Sequence, residues 1–106
     1  MKKVEIVDPS EIHQLARDKG WWDERAVPKD IPELICLMHS ELSEALEGYR
    51  THLSPGEKGW LGEELADCII RIFDTAVACN IDIVGEVEKK HLFNQTRPYR
   101  HGNKKC

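Results

Sequence analysis

Two pairs of acidic residues, each with its carboxylates three positions apart, flank one loop of the chain. The first pair is Glu41 and Glu44, and the second is Glu64 and Asp67. Residues three apart on an α-helix share a face, with Cβ atoms roughly 5–6 Å apart, so each pair can approach an ion from one side. In an antiparallel helical hairpin, Glu44 lies opposite Glu64. Glu41 then lies opposite Asp67. Converging carboxylates need a countercharge, and a hard cation with oxygen ligands, Mg²⁺, is the simplest one.

Further acidic residues lie beside these pairs. Glu63 precedes Glu64 and could replace it as the partner of Asp67, four positions away. Glu47, Glu63 and Asp74 are expected to face solvent or to support the site from outside it, because acidic side chains are rarely buried. The register of the third helix decides between Glu63 and Glu64.

Capping and turn residues divide the chain into four helices. Asp8 and Asp30 are typical N-caps, each followed by a proline in the first turn. Gly20 ends the first helix, and residues 21–29 read as a connection. Ser54-Pro55-Gly56 separates the second helix from the third. The predicted helices cover residues 9–19, 31–50, 59–79, and about 82 to just before Pro98.

The two middle helices each carry apolar residues at helical spacing. The apolar faces comprise Leu34, Met38, Leu42, Ala45 and Tyr49, and then Leu61, Leu65, Ile69, Ile72, Phe73 and Ala76. Helices of about 20 residues are roughly 30 Å long, and one shorter helix on either side cannot cover them. The expected fold is therefore all-α, a four-helix-type bundle with two long antiparallel central helices. Self-association into a homodimer or tetramer would complete it.

Length and composition exclude several classes of protein. A chain of 106 residues suits one domain, over 1–106, with a basic tail from about residue 97. The net charge of −4 disfavours stable nucleic-acid binding. No membrane span or apolar leader is apparent, so the cytoplasm is the expected compartment. The cysteines lack C-x-x-C spacing, which favours reduced thiols over structural zinc or disulfides.

The order of these features resembles the MazG-like branch of the all-α nucleoside triphosphate pyrophosphatase superfamily, over nearly the whole chain. The family pattern E-x-x-E, spacer, E-x-x-D corresponds to the two acidic pairs within HSELSEALEGYR and GEELADCIIRIFDTA. A downstream K-x-x-x-N-x-x-R pattern corresponds to Lys90, Asn94 and Arg97. Relatives also carry an upstream histidine and tryptophan nine positions apart, which His13 and Trp22 match. The combination is considerably more specific than either acidic pair.

The resemblance implies a hydrolase that converts a nucleoside or deoxynucleoside triphosphate to the monophosphate and pyrophosphate, with nucleotide-pool cleansing as a role. It implies Mg²⁺, with Mn²⁺ as a substitute, bound by Glu41, Glu44, Glu64 and Asp67. One of the glutamates would accept the proton of the attacking water. Which glutamate does so stays open at this point.

The resemblance also implies a substrate-binding set. Lys90 and Arg97 would donate to the triphosphate, and Asn94 would bind phosphate or sugar. His13 and Trp22 would bind the nucleoside, with Trp22 preferred to Trp21 for stacking on the base. Relatives often have an aromatic residue one turn after the aspartate. This chain has Arg71 there, so the base preference stays open.

Simpler interpretations and other functions compete with this hypothesis. Lys90 and Arg97 near a helix C-terminus would also favour the helix dipole without a ligand, and Trp22 or His13 could be structural. An oxygen-activating di-metal bundle needs E-x-x-H on two helices, and only Glu88 to His91 has that form. A DNA-binding protein would need a basic recognition helix, and the sequence shows none before the tail. The remaining alternative is a non-catalytic helical module that binds a nucleotide or a protein.

Overall fold

The secondary structure of the chain is entirely helical in the part that the computed structural model describes, residues 7–23 and 30–105. The helices are α1 (Pro9–Asp18), α2 (Ile31–Arg50), α3 (Leu61–Ala78), α4 (Ile83–Thr96) and the single turn α5 (Arg100–Asn103). The prediction of an all-α chain is confirmed. Most of the predicted connection between the first two helices, residues 24–29, lies outside the described residues.

Aspartate side chains cap three of these helices. Oδ1 of Asp8 accepts a hydrogen bond from the backbone N–H of Ser10, at 2.9 Å. Asp30 accepts from the N–H of Glu33 at 2.9 Å, and Asp82 from that of Gly85 at 3.1 Å. Each cap satisfies an N–H group that has no partner within its own helix. The starts of α1, α2 and α4 therefore lie where the sequence predicted them.

The third helix begins two residues later than predicted, because the chain turns sharply before it. Gly59 has a φ of +91°, a left-handed conformation that is open to glycine and strained for other residues. Its carbonyl oxygen lies against Gly48, which is buried on α2. A Cβ atom on Gly48 would collide with that oxygen. The absence of a side chain at Gly48 thus lets the loop cross α2 closely and fixes the depth at which α3 starts.

α2 and α3 pack against each other in antiparallel orientation. Gly48 meets Gly59 near the loop, and Sγ of Cys68 lies 3.7 Å from the carbonyl oxygen of Met38 farther along the pair. Between these two levels the interface contains both apolar and acidic side chains. The buried residues of the described chain are Leu34, Glu41, Ala45, Gly48, Glu64, Cys68, Phe73 and Ala76.

A second face of this helix pair remains exposed. Its residues, here called the apolar stripe, are Ile35, Leu42, Leu46, Tyr49, Leu65 and Ile69. Each directly follows a buried position, and in an antiparallel pair such positions turn to the same side. Leu46 is 57% exposed and Tyr49 is 66% exposed. Leu42, Tyr49, Leu65 and Ile69 come from the predicted apolar faces, and they form apolar surface that the single chain leaves uncovered.

α1 packs on α3 as well, whereas α4 meets α3 at only a few positions. α4 contains no buried residue, and Val87, Leu92 and Phe93 are all more than half exposed. The radius of gyration is 16.4 Å, against about 13 Å for a compact domain of this length. The predicted bundle, with its completion by self-association, stays a prediction.

Among the described helices, none combines the length and the apolar character that crossing a lipid bilayer requires.

Replacing Gly48 by alanine tests the close approach of the loop to α2. Alanine favours the helix by up to about 1 kcal/mol relative to glycine, but overpacking against a backbone carbonyl costs about 1–3 kcal/mol. We expect Gly48→Ala to lower the free energy of unfolding by about 1–2 kcal/mol. The measurement is urea unfolding followed by circular dichroism. Ser43→Ala, at an exposed position of the same helix, is the control and should not be destabilised.

Candidate metal centre and adjoining cleft

Three carboxylates from α2 and α3 meet inside the helix pair. Glu41, Glu64 and Asp67 each offer an oxygen atom, and these atoms lie within 4.8 Å of one another. Glu41 and Glu64 are both only 7% exposed. The interface between α2 and α3 thus places acidic side chains where a core normally has apolar ones. All the donors are carboxylate oxygens, which are the ligands that Mg²⁺ and Mn²⁺ prefer.

Glu64 is the carboxylate with the least favourable surroundings. Its Oε2 atom is buried and has no hydrogen-bond partner among the described residues. Burial is the main cause that raises the pKa of Glu64 from its usual 4.5 to about 7, and hydrogen bonds with Glu44 and Glu41 and the negative charge of Asp67 add to it. A cation at the cluster would be coordinated by the unpartnered oxygen. Its positive charge would offset the cost of ionising the buried carboxylate. The residues therefore fit a divalent metal ion.

The pKa of Glu41 shifts in the opposite direction, because Glu41 has a cationic partner. Nε of Arg71 donates to Oε1 of Glu41 at 2.7 Å. Burial alone would favour the neutral acid, but the hydrogen bond and positive charge of Arg71 outweigh it and lower the pKa of Glu41 below 4.5. The cluster thus contains one carboxylate held ionised by an arginine and another held protonated up to about neutral pH.

The other acidic candidates surround this cluster. Glu44 is exposed, and its carboxylate contributes to the raised pKa of Glu64. Glu63 is exposed while Glu64 is buried, so the register of α3 directs Glu64 and not Glu63 into the helix pair. Glu47 is exposed as well and lines a second cleft of about 380 Å³ together with Glu44, Lys58 and Glu64.

A cleft of about 340 Å³ opens beside the acidic cluster. This first cleft is lined by Ala16, Trp21, Glu41, Asp67, Ile70, Arg71 and Asp74. It therefore joins the metal-ligand candidates to α1 and to an aromatic side chain that follows α1. Its volume is near the lower end of the range for small-molecule sites, which is about 300–1,000 Å³.

Asp74 connects two residues that the sequence assigned to substrate binding. Nδ1 of His13 lies 2.6 Å from Oδ1 of Asp74 and donates to it, because a carboxylate can only accept. Nε1 of Trp22 donates to both oxygens of the same carboxylate, at 3.0 Å. The rings of His13 and Trp22 meet edge to face, with centroids 5.4 Å apart. Asp74 lines the first cleft and holds both rings, but the His13 and Trp22 side chains are not part of the cleft lining.

The two tryptophans of this segment differ in position. Trp22 is half-buried through its contacts with Asp74 and His13, whereas Trp21 is 65% exposed and lines the first cleft. The preference for Trp22 as the stacking residue stays a prediction. Trp21 is the aromatic side chain with more surface open to a ligand in that cleft.

The downstream basic motif is separate from the acidic cluster within one chain. Lys90 and Asn94 are exposed on α4, and Arg97 follows the helix. Lys90 Nζ lies 4.8 Å, and Arg97 Cζ 5.5 Å, from the centroid of the Phe93 ring, on which both cations pack. In the described chain none of the three motif residues lines the first cleft. Their role in phosphate binding stays a prediction.

Two residues contribute more to the site than the sequence analysis assigned to them. Arg71 was noted only as a departure from the aromatic residue of relatives, and Asp74 only as a possible supporting group. Both follow Asp67 on one face of α3, at the fourth and seventh positions. That spacing was the available signal for a shared cleft. The sequence could not supply their partners Glu41 and His13, because those contacts depend on how α1 and α2 pack on α3.

No family model matches this chain, and neither the curated proteins nor the solved structures provide a match.

The pKa of Glu64 predicts an unusual pH dependence of stability without divalent cations. The folded chain holds the Glu64 proton up to about pH 7, whereas the unfolded chain releases it near 4.5. Ionisation is thus easier after unfolding, and the free energy of unfolding should fall as pH rises from 4.5 through 7. Glu64→Gln, which stays neutral, should remove this fall and be more stable than wild type at pH 8. Urea unfolding at pH 5 to 8 with a chelator measures the effect.

Glu63→Gln is the matched control for this experiment. It removes the adjacent but exposed carboxylate, so its stability should follow the wild-type pH dependence. Parallel curves for wild type and Glu64→Gln would contradict the burial of a titrating carboxyl group between the helices.

Proposed function

We propose that this chain is a magnesium-dependent nucleoside triphosphate pyrophosphohydrolase, which converts a nucleoside or deoxynucleoside triphosphate to the monophosphate and pyrophosphate. The observation that carries the proposal is the meeting of Glu41, Glu64 and Asp67 within 4.8 Å, around a buried Glu64 oxygen that has no hydrogen-bond partner in the described chain. A folding role does not account for such an arrangement, because burying Glu64 beside two other carboxylates costs stability when Arg71 contacts only Glu41. The motif resemblance supplies the reaction class.

The proposed chemistry uses the carboxylates in two ways. A bound divalent cation would neutralise phosphate oxygens, lower the pKa of a water molecule and orient it for attack. Glu41, Glu64 and Asp67 would hold the cation, and a glutamate of the site would accept the proton that the attacking water loses. Attack on the phosphorus next to the nucleoside breaks its bond to the bridging oxygen, and pyrophosphate leaves.

The first cleft supports a nucleoside as the group that lies beside the cluster. It runs from Glu41 and Asp67 to the aromatic wall at Trp21, with Asp74 holding His13 and Trp22 behind that wall. An aromatic surface favours a flat base, and neighbouring polar groups can orient it. The triphosphate then extends toward the carboxylates.

The proposal also requires that cations from the chain reach the phosphates. Lys90 and Arg97 have this role in the hypothesis, and Asn94 would accompany them. Because none of these residues lines the first cleft in one chain, α4 must reach the cleft by closing on it or from another copy. The few contacts between α4 and α3 are compatible with both arrangements.

The first test is pyrophosphate release from a panel of ordinary and modified nucleoside triphosphates, with Mg²⁺ and with a chelator. Wild type should form monophosphate and pyrophosphate only with the metal. Glu44→Gln removes a carboxylate beside Glu64 while nearly preserving volume, and its rate should fall by about 100-fold or more if Glu44 accepts the proton or binds the metal. Product identification by chromatography distinguishes this reaction from release of inorganic phosphate.

The control variant for hydrolysis is Glu63→Gln, which changes an exposed carboxylate one position before Glu64 and should keep the wild-type rate. Unchanged turnover in Glu44→Gln would remove Glu44 from the site. Folded wild-type protein that cleaves no member of the panel would favour the non-catalytic binding module instead.

Self-association of the chain is part of the proposal. The apolar stripe presents side chains of α2 and α3 on one side, away from the α1 side where Asp74 contacts His13. Contiguous apolar surface of this kind is typical of a protein interface. A second copy related by twofold symmetry could cover it with its own stripe. We therefore expect a homodimer, or a tetramer built from two dimers.

Leu46→Lys tests this association by placing a charge in the middle of the stripe. The substitution should shift wild-type dimers or tetramers toward monomers, because a lysine ammonium group in an apolar interface loses its hydration. Light scattering after size exclusion at micromolar concentration measures the mass. Ser43→Lys adds the same charge at an exposed position beside the stripe and should keep the wild-type mass. A strictly monomeric wild type would contradict the expectation.

A further inference from the structure

Arg71 occupies an unusual position for a cation, since it lies directly against a candidate metal ligand. Its Nε atom donates to Oε1 of Glu41 at 2.7 Å. The carboxylate of Glu41 is buried, with a side chain 9% exposed, whereas the side chain of Arg71 is 40% exposed. One end of this ion pair is therefore fixed in the helix interface, and the other can move.

The guanidinium group of Arg71 is only partly used by this contact. The Nε–H group donates to Glu41, and within the described part of the chain the terminal NH₂ groups donate to no other residue. Arg71 also lines the first cleft together with Asp67 and Trp21. The fork of the guanidinium group is suited to planar or tetrahedral anions such as phosphate. The cleft thus contains an arginine whose NH₂ groups have no acceptor among the described residues, beside the site proposed for a nucleotide.

Arg71 and a divalent cation would compete for the carboxylate of Glu41. In the described structure Arg71 is the cation that contacts the carboxylates of the cluster. A divalent cation that bound Glu41 would replace this countercharge and repel the guanidinium group at short distance. The incoming triphosphate carries its own negative charge into the same cleft and offers Arg71 another partner.

We propose that Arg71 is an exchangeable countercharge, which pairs with Glu41 while the cluster holds no metal and transfers to a phosphate oxygen of the nucleotide when Glu41 binds a divalent cation. This inference rests on the proposed function for the identity of the anion. It makes Arg71 a substrate-binding residue that also sets the metal affinity of the free protein. Metal would therefore bind more tightly with nucleotide present than alone, because the transfer removes the competitor from Glu41.

The test compares wild type with Arg71→Gln and Arg71→Met, which both remove the charge. The probe for the free protein is Mn²⁺ alone, with its Kd measured from the electron paramagnetic resonance signal of the unbound ion. Loss of the competing arginine should lower the Kd for Mn²⁺ by about fivefold, the size expected for a partly exposed ion pair. Arg71→Lys keeps a charge at this position and should restore weaker Mn²⁺ binding.

The second probe is imidodiphosphate, a pyrophosphate analogue that is not cleaved, titrated by calorimetry at saturating Mn²⁺. Both neutral variants should bind it about tenfold more weakly, since a charge-assisted hydrogen bond to the phosphate is lost. Arg50→Gln removes the same charge from the exposed end of α2 and should alter neither constant, because solvent and salt screen that position. Circular dichroism verifies that each variant is folded.

The opposite signs of the two changes distinguish an exchangeable arginine from one that merely orders Glu41. If Arg71 ordered the ligand, its removal would weaken Mn²⁺ binding, and that result would overturn the inference. Unchanged Mn²⁺ or imidodiphosphate affinity in both neutral variants would overturn it as well. Opposite shifts in a protein that hydrolyses no nucleotide would keep the countercharge role and reject the proposed function. Nucleotide hydrolysis with unchanged affinities for Mn²⁺ and imidodiphosphate would keep the proposed function and reject the countercharge role.

Discussion

The structure depends on the burial of carboxylates between α2 and α3. Glu41 and Glu64 occupy positions in the helix interface that also contains Ala45 and Cys68. Such positions favour apolar side chains, and each buried carboxylate must be protonated or paired to be tolerated. The chain uses both solutions, since Arg71 keeps Glu41 ionised and burial holds the proton on Glu64 up to about pH 7. The interface between α2 and α3 therefore depends on local electrostatics as well as on apolar packing.

The close packing of the loop on α2 fixes the position of α3 along α2. Gly48 admits the Gly59 carbonyl at one end, and Cys68 meets Met38 farther along. A shift of α3 by one position would direct Glu63 inward and leave Glu64 outside. The depth set by two glycines is therefore coupled to the identity of the buried acid.

Much of this arrangement could be predicted from local sequence signals. Asp8, Asp30 and Asp82 cap helices that begin where expected, because capping depends on neighbouring residues alone. Spacing and an antiparallel hairpin predicted that acids of α2 and α3 converge, with Glu44 opposite Glu64 and Glu41 opposite Asp67, whereas the structure groups Glu41 with Glu64 and Asp67. Burial did not follow, since each middle helix has apolar residues on more than one face and periodicity cannot say which face a neighbour covers.

The contacts of long side chains were equally inaccessible to the sequence. The pairing of Arg71 with Glu41, and of Asp74 with His13 and Trp22, joins residues that are far apart in the sequence. Such contacts require the depth and rotation of each helix to be known. The relation of α4 to the cleft raises the same difficulty, because the motif Lys90, Asn94 and Arg97 defines a spacing and not a location.

Because α4 makes few contacts with α3, it is expected to open before the other helices unfold. A helix with no buried residue and few contacts to α3 contributes little to the cooperative unit formed by α1, α2 and α3. Its backbone amides should exchange with solvent through local openings that leave the α2–α3 pair intact. The segment that carries the basic motif would then sample detached and docked arrangements at a small energetic cost. A bound anion could select the docked arrangement without any reorganisation of the carboxylate-bearing helices.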